Sequence, residues 1–185
     1  MLWFIRHNYT GFLTTNKNTI VFRYTGTEKG PKRYLKYKFN PYNANPAHFY
    51  NIPDDVDLMS TKDLHVHIAE GIFDILSINQ NLHESKSIEQ HLYFAACGFG
   101  PMIIVQYLVY IGLGGNIILH IYCDNDKTDI DEDTVILRRK EMLPWCKQVI
   151  YHRNSFIDPI TNQVEKDYGI PKNRIVDSQK IIHFY

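Results

Sequence analysis

The chain has 185 residues, of which 44% are hydrophobic and 22% are charged. This composition excludes a disordered, low-complexity or coiled-coil chain and predicts one compact domain with a small appendage. The formal net charge is zero, but the charges are divided along the chain. Residues 1–40 contain eight Lys and Arg residues against one Glu, a net +7, so 12 basic and 19 acidic residues give 41–185 a net −7. A basic arm on an acidic body is therefore expected.

The cysteines and the apolar stretches bear on where the protein works. Three widely spaced cysteines do not make a disulfide framework, and those in apolar runs, Cys97 and Cys123, are expected to be buried thiols in a reducing compartment. The apolar residues before Arg6 are too few for a signal peptide. The longest apolar stretch, 101–113, has 13 residues, whereas a membrane-spanning helix needs about 20. We therefore expect a cytoplasmic protein with no membrane partner.

The basic arm, residues 1–40, contains strand-forming segments. Residues 11–24 and 33–39 are rich in Thr, Tyr, Phe, Val and Ile, and Asn- and Gly-containing turns interrupt them. Alternation places the lysines and one tyrosine of the second segment on one face. Lysines can neutralise phosphates and a tyrosine can stack on a base, so the arm predicts a nucleic-acid-binding surface. An edge strand protected by solvated lysines is the alternative. The candidate binding residues are Arg23, Lys32, Arg33, Tyr34, Lys36 and Lys38.

The remainder of the chain divides into a linker and an α/β body. Asn and Pro clusters indicate an irregular linker over 41–63, and the body covers 64–185. Short apolar strands alternate with helical patterns in the body, which predicts a parallel sheet of about four strands flanked by helices. The predicted strands are 65–69, 91–97, 116–123, 148–152 and a final 180–185, and the predicted helices are 72–81, 101–113 and 134–143.

Acidic residues follow two of these predicted strands. Glu70 and Gly71 follow the first strand, and Asp74 lies in the next helical turn. Asp124 and Asp126 follow the third strand. Ligands of open α/β sheets bind beyond the carboxyl ends of the strands, so these acids meet if the two strands are neighbours. Clustered carboxylates repel one another, and a hard cation such as Mg²⁺ removes that cost, although each acid taken singly also suits a helix cap.

The segments around these acids resemble the Toprim domain that primases, topoisomerases and certain nucleases share. The matching strings are HVHIAEGIFDILSI at 65–78, LYFAACGFG at 92–100 and NIILHIYCDNDKTD at 116–129. The Glu-Gly-Ile-Phe-Asp form is most similar to bacterial and phage primases. EKDYGIP at 165–171 resembles a late element of phage primases, and the strands of 1–40 resemble the end of the basic subdomain that precedes Toprim.

This resemblance implies a Toprim, Rossmann-like fold with a small N-terminal β appendage, and it implies a DNA replication activity. The activity is RNA primer synthesis from NTPs on a single-stranded DNA template, with Mg²⁺ or Mn²⁺ as cofactor and with Glu70, Asp124 and Asp126 as catalytic residues. The implied metal site contains Glu70, Asp74, Asp124, Asp126 and Asp167. Two points stay open: Glu70 either shares the metal or acts as general base, and Asp74 either holds a metal-bound water or caps its helix.

The chain also departs from the primase pattern. It contains no Cys-x-x-Cys pair, which the zinc-binding module of primases requires. We therefore expect a fragment, a split gene product or a minimal paralogue, with a separate zinc-binding subunit or a replicative helicase as partner. A Toprim nuclease that hydrolyses phosphodiesters and a non-catalytic nucleic-acid-binding subunit of a split primase are the alternative functions.

Three other patterns are set aside. Asp124 and Asp126 followed by Thr128 fit the motif of haloacid-dehalogenase phosphatases, but that fold normally begins with its motif. Residues 129–140 lack the Gly and the final Glu of a calcium loop. His65 and His67 share one strand face, but without a suitably spaced Cys or acid we expect packing residues rather than zinc ligands.

Overall fold

The strands of the protein belong to two sheets. The computed structural model describes residues 3–14, 19–39, 49–51, 56, 62–81, 90–97, 104, 116–126, 133–134, 136–137, 141 and 144–184. The strands are β1 (Trp3–Arg6), β2 (Tyr9–Leu13), β3 (Thr19–Tyr24), β4 (Tyr34–Lys38), β5 (Phe49–Asn51), β6 (Asp63–Ala69), β7 (Gln90–Ala95), β8 (Asn116–Cys123), β9 (Cys146–Asn154) and β10 (Asp177–His183). Helix α1 covers Ile72–Asn81, and a short 3₁₀ turn covers Lys172–Arg174.

The larger sheet has the strand order β10-β9-β8-β6-β7-β5. Its four inner strands are parallel, whereas the edge strands β5 and β10 run antiparallel to their neighbours. The inner strands bury residues on both faces, which explains their nearly continuous apolar sequences. The prediction of an α/β fold around about four parallel strands is confirmed, while the two antiparallel edges were not predicted.

The order of the parallel strands places a crevice in the middle of the sheet. Across the sheet, the four parallel strands lie in the order β7, β6, β8, β9. The chain runs from β6 to β7 in one direction and then from β8 to β9 in the other, so the strand order reverses between β6 and β8. These two strands pair in register from Asp63 opposite Asn116 to Ala69 opposite Tyr122. In doubly wound sheets, ligands bind at this reversal, beyond the carboxyl ends of the two strands.

The smaller sheet is an antiparallel meander of β1 to β4. The segment predicted as 11–24 forms the hairpin β2–β3, in which the Thr14 N–H donates to the Thr19 carbonyl at 3.0 Å. One face of the meander packs on α1, because Phe12 and Val21 are fully buried in the same cluster as Ile72 and Ile75. The arm therefore shares a hydrophobic core with the body.

Several element boundaries differ from the sequence predictions. Residues 49–51, which we expected to be irregular, form β5 because their backbone pairs with the exposed edge of β7. The last strand is Asp177–His183 rather than 180–185. Of the helix predicted at 101–113 only Ile104 is described, and it is helical. Of the helix predicted at 134–143, the described residues are helical, and the others lie outside the described part of the chain.

The cysteines and the membrane prediction can be compared with the structure. Cys97, Cys123 and Cys146 are buried and form no disulfide, so the prediction of buried thiols at Cys97 and Cys123 is confirmed. Over the described ranges, no helix has both the length and the apolar character that crossing a bilayer requires.

We expect Phe12→Ala to destabilise the whole protein, because the Phe12 ring packs edge-on against Phe73 of α1 with 5.8 Å between centroids. Removal of a fully buried phenylalanine costs about 3 to 5 kcal/mol of unfolding free energy, measured by urea denaturation. Phe39→Ala is the matched control, because Phe39 is 52% exposed. Equal losses in the two variants would contradict the shared core.

Candidate functional site

Two acidic side chains lie where the parallel strands β6 and β8 end. Glu70 follows Ala69 and Asp124 follows Cys123, and these two strands are neighbours, which is the condition under which we expected their acids to meet. Burial raises the pKa of Asp124, and the nearby carboxylates of Glu70, Asp167 and Asp126 raise it further, against a lowering by Lys166. The acids that follow the two strands therefore lie close enough to interact electrostatically.

Asp74 occupies the first turn of α1 and binds backbone amides. Its Oδ2 accepts a hydrogen bond from the Gly71 N–H at 2.9 Å, which is the reciprocal half of a capping box. The Gly169 N–H also donates to this carboxylate. A Cβ at Gly71 or at Gly169 would collide with the Asp74 carboxylate, so both glycines make room for it.

The charge of Asp74 is costly in the folded protein. Burial raises its pKa from 3.8 to about 6, and the carboxylates of Asp167 and Asp124 add to the rise, while the amides of Gly71 and Gly169 oppose it. The folded protein therefore holds an acid that ionises only at nearly neutral pH. This behaviour is frequent at functional sites, where charges are brought together against their mutual repulsion.

Lys166 is a member of the site that the sequence did not indicate. Its Nζ lies 2.9 Å from Oδ2 of Asp126 and 3.7 Å from Oδ2 of Asp124. The segment carrying it is tied to the strand ends, because the backbone N–H of Asn125 donates to the Lys166 carbonyl at 2.9 Å. The only sequence signal was its position beside Asp167 in the 165–171 string. The ammonium group partly offsets the charge of the acids.

Asn154, at the end of β9, fixes the neighbouring segment of the chain. It is 1% exposed and uses both ends of its amide. Its Nδ2 donates to the carbonyls of Asp167 at 3.3 Å and Arg174 at 3.0 Å. Its Oδ1 accepts from the N–H groups of Phe156 at 3.1 Å and Val176 at 2.9 Å. The amide is fully satisfied, so the segment that carries Lys166 and Asp167 is held in one position.

The acids of the site differ in exposure, and one of them contacts the basic arm. The side chain of Asp126 is 56% exposed, that of Glu70 is 27% exposed and that of Asp124 is 12% exposed. Oε1 of Glu70 lies 3.8 Å from Nη1 of Arg33, just before β4. The start of β4 therefore borders the carboxylate cluster, which we define as Glu70, Asp74, Asp124, Asp126 and Asp167.

The two faces of β4 have an unexpected orientation. Lys36 and Lys38 are half-buried, and burial lowers the pKa of Lys36. The opposite face is the exposed one, with Tyr37 58% and Phe39 52% exposed and their rings 5.5 Å apart. Lys36 and Lys38 are therefore less exposed than Lys32, and their contact with nucleic acid stays a prediction.

Tyr34 is also less accessible than the sequence suggested. The guanidinium groups of Arg23 and Arg33 lie 5.3 and 5.8 Å from the centre of its ring. Burial raises the pKa of the Tyr34 hydroxyl to about 12. Lys32 and Arg33 stay exposed, so the accessible part of the predicted nucleic-acid surface is the loop before β4. Tyr37 and Phe39, which were not among the predicted residues, are exposed beside it.

The chemistry of the carboxylate cluster can be compared with the needs of a metal ion. Carboxylate oxygens are the donors that Mg²⁺ and Mn²⁺ prefer. Within the described ranges, no three His, Cys, Asp or Glu side chains are grouped tightly enough to hold an ion alone. Mg²⁺ usually takes one or two carboxylates and completes its shell with waters and substrate phosphates, and the cluster suits that mode.

Comparisons with known proteins do not assign the chain to a family. No protein-family model matches it, and no curated protein or solved structure matches it either. The functional argument therefore rests on the residues and their geometry.

We expect Asp74→Asn to stabilise the protein at pH 7.5 in a chelating, metal-free buffer. The folded state binds the Asp74 proton more tightly than the unfolded chain, so stability falls as the pH rises from about 4 to about 6. An amide avoids this loss and can still accept from Gly71, which predicts a gain of about 2 kcal/mol in urea unfolding.

Asp158→Asn is the control for this prediction, because the pKa of the Asp158 carboxyl is shifted in the opposite direction from that of Asp74. Hydrogen bonds from the Thr161 and Ile160 amides, and then the Arg174 side chain, lower the pKa of Asp158. Its replacement should therefore reduce stability at pH 7.5. A loss of stability in both variants would contradict the assignment of Asp74 as a strained acid.

Proposed function

We propose that the chain is a Toprim-type, primase-like nucleotidyltransferase that uses Mg²⁺ or Mn²⁺. It would synthesise RNA primers from NTPs on a single-stranded DNA template. The observation that carries the proposal is the position of Glu70 and Asp124 after neighbouring parallel strands, at the point where the order of the parallel strands reverses. Electrostatic coupling of these acids to Asp74, Asp126 and Asp167 supports it.

The cation is proposed to bind at Asp124 and Asp126, with Glu70 adjacent. When bound, Mg²⁺ or Mn²⁺ would orient the nucleotide phosphates and offset the charge that develops during transfer. The raised pKa of Asp124 supports this, because a cation would offset both causes of the rise, the burial of the charge and the repulsion by neighbouring carboxylates. The two backbone hydrogen bonds of Asp74 favour the helix-capping role over the water-binding role that the sequence left open.

The other groups of the site can bind or move charge. Glu70 is partly exposed and can accept the proton of a primer 3′-hydroxyl, while Arg33 beside it can bind a phosphate. Lys166 can exchange its contact with Asp126 for a contact with nucleotide phosphate oxygens once a cation neutralises the acids. Each of these groups lies on the rim of the crevice rather than in the core.

The template is proposed to contact the basic arm. Lys32 and Arg33 are exposed and can neutralise phosphates, and the exposed rings of Tyr37 and Phe39 can stack on unpaired bases. A separate zinc-binding subunit or a replicative helicase would be the protein partner in this proposal. The cytoplasm is the proposed location.

An assay with single-stranded DNA, labelled NTPs and Mg²⁺ or Mn²⁺ separates the candidate functions. Oligonucleotide synthesis supports the proposal, degradation of the DNA indicates a nuclease, and binding without turnover indicates a non-catalytic subunit. We expect the double variant Asp124→Asn, Asp126→Asn to lose at least about 100-fold in activity, because charge stabilisation at the reacting centre is removed. Asp158→Asn should keep its activity, since Asp158 contacts Arg174 rather than the cluster.

Calorimetry tests the metal site without any turnover. The same double variant should lose Mn²⁺ binding that the parent chain shows at pH 7.5, because two of the oxygen ligands have lost their charge. The Asp158→Asn control should bind as the parent does. Unchanged binding in the double variant would mean that the cation site lies elsewhere.

Fluorescence anisotropy with single-stranded DNA tests the arm. Arg33→Gln should reduce the slope of log affinity against log salt by about 0.7, the value for one phosphate contact. Tyr37→Ala with Phe39→Ala should weaken binding by about 5-fold or more at every salt concentration, because stacking does not depend on salt. Trp145→Ala, which removes a 43% exposed ring elsewhere, is the control. Deletion of 1–40 is unsuitable because Phe12 and Val21 belong to the core.

A further inference from the structure

Five histidines form a continuous band on one side of the larger sheet, and the proposed function uses none of them. Their rings stack or tilt against one another across four strands, with centroids of neighbouring rings 4.4 to 5.2 Å apart. Three of the rings are almost fully buried, and the other two are half-buried. The five are His65 and His67 on β6, His91 on β7, His120 on β8 and His152 on β9.

Three of these histidines are joined in a directed hydrogen-bonded chain. Nδ1 of His65 lies 2.9 Å from Nε2 of His120, and Nδ1 of His120 lies 2.9 Å from Nε2 of His152. Nδ1 of His152 then lies 2.8 Å from Oδ2 of Asp177 on β10. The Tyr168 hydroxyl donates to the other oxygen of this carboxylate. The path runs from β6 to the edge of the sheet, and in every ring Nδ1 points toward that edge.

The carboxylate at the end of the chain sets the protonation of each neutral ring. Burial alone would raise the pKa of Asp177, but hydrogen bonds from His152, Tyr168 and Gln179 outweigh burial and hold the pKa below its usual value. A carboxylate only accepts, so Nδ1 of His152 carries the hydrogen and its Nε2 accepts from His120. By the same reasoning, Nδ1 of His120 carries a hydrogen, and so does Nδ1 of His65. All three neutral rings are therefore Nδ1–H tautomers.

The spacing of the ring nitrogens fits a shared proton better than a metal ion. Two nitrogens bound to one zinc ion would each lie about 2.0 to 2.1 Å from it, and tetrahedral geometry would hold them farther apart than a hydrogen bond does. The nitrogens here face each other at 2.9 Å, the ordinary N–H···N separation. Among the described residues, no three His, Cys, Asp or Glu side chains are grouped so as to hold a metal ion by themselves, and this includes the histidine band.

We propose that His65, His120 and His152 form a proton relay that takes up one proton at His65 and holds the charge at His152. A proton from water binds Nε2 of His65, whose Nδ1 proton passes to Nε2 of His120. The Nδ1 proton of His120 then passes to Nε2 of His152. The protein gains one proton, His65 and His120 become neutral Nε2–H tautomers, and doubly protonated His152 pairs with Asp177.

The groups around the relay explain why it holds a single proton at that end. His67 and His91 form a second hydrogen-bonded path, from Nδ1 of His91 to Nε2 of His67 at 2.9 Å and from Nδ1 of His67 to the Tyr122 hydroxyl at 3.1 Å. The group that His67 contacts there is a phenol instead of a carboxylate, and burial raises its pKa well above the usual value, so it offers no negative charge. A second cation in the band would also stack against the first. The ionisable groups that face the relay are His67, His91, Tyr93, Tyr122, Tyr168 and Asp177.

The location of the charged end gives the relay a structural consequence. Tyr168, which donates to Asp177, lies between Asp167 and Gly169 in the chain, and Gly169 contacts Asp74. A proton taken up at strand β6 is thereby held near the segment that borders the carboxylate cluster. The relay stands independently of the proposed nucleotidyl transfer, because its groups and its test involve neither metal nor nucleotide.

Nitrogen-15 NMR of the full chain with labelled histidines tests the proposal directly. At pH 8 we expect His65, His120 and His152 all to be Nδ1–H tautomers. On acidification, His65 and His120 should convert to Nε2–H in the same transition in which His152 becomes doubly protonated, with one proton taken up by the three. The exposed His7 and His183 lie outside the relay, so their signals serve as internal references. Mixed tautomers at pH 8, or three independent titrations, would overturn the relay.

A variant tests whether the Asp177 carboxylate holds the proton. Asp177→Asn keeps the size and an acceptor oxygen but removes the opposite charge, so the transition should move at least one pH unit lower, a tenfold weaker hold on the proton. Asp158→Asn, an ion-paired aspartate outside the relay, should leave the transition in place. An unchanged transition in Asp177→Asn would overturn the proposal. If that variant does not fold, the tautomer measurement on the parent chain decides.

Discussion

The parallel pairing of β6 with β8 is the constraint on which the other features depend. It places the end of one strand beside the end of the other, so that Glu70 and Asp124 share a crevice. It also sets His67 opposite His120 in the body of the sheet. One backbone register therefore creates both the carboxylate cluster at the carboxyl edge and the histidine band across the face, although the two are far apart in chemical character.

Both features place polar groups where an α/β sheet normally buries apolar ones, and each is compensated locally. Asp74 is supported by two backbone amides that approach closely only because glycines stand at 71 and 169. Lys166 offsets the outer acids. His65, His120 and His152 hydrogen-bond to one another and lead to Asp177, while His91 and His67 lead to Tyr122. Buried polar groups are costly unless every member has a partner, so the arrangement is stable only as a set.

Opposite charges also offset each other between the basic arm and the body. Its +7 charge balances the −7 of the body, and the lysine side of β4 faces that body. Arg33 reaches Glu70, while the aromatic side of the strand, with Tyr37 and Phe39, is left outward. The zero net charge of the chain is thus the sum of two surfaces that meet, and a nucleic acid would encounter aromatic rings and the basic loop before β4.

The sequence by itself determined the elements with strong local signals. Apolar runs gave the four inner strands, α1 had a clear helical period, and the acids after the strands marked the crevice. Only the tertiary structure decided what depends on pairing between distant segments. Strand β5 exists because β7 offers an edge, and Lys166 joins the acids because Asn125 and Asn154 hold its segment. Lys36 and Lys38 are half-buried because they share the face of β4 on which Tyr34 packs against the core. In the sequence, His65 and His67 were interpreted as packing residues because no suitably spaced Cys or acid accompanies them, and the other three histidines stand singly on their strands. Their band appears when parallel register brings four strands together, which no local pattern encodes.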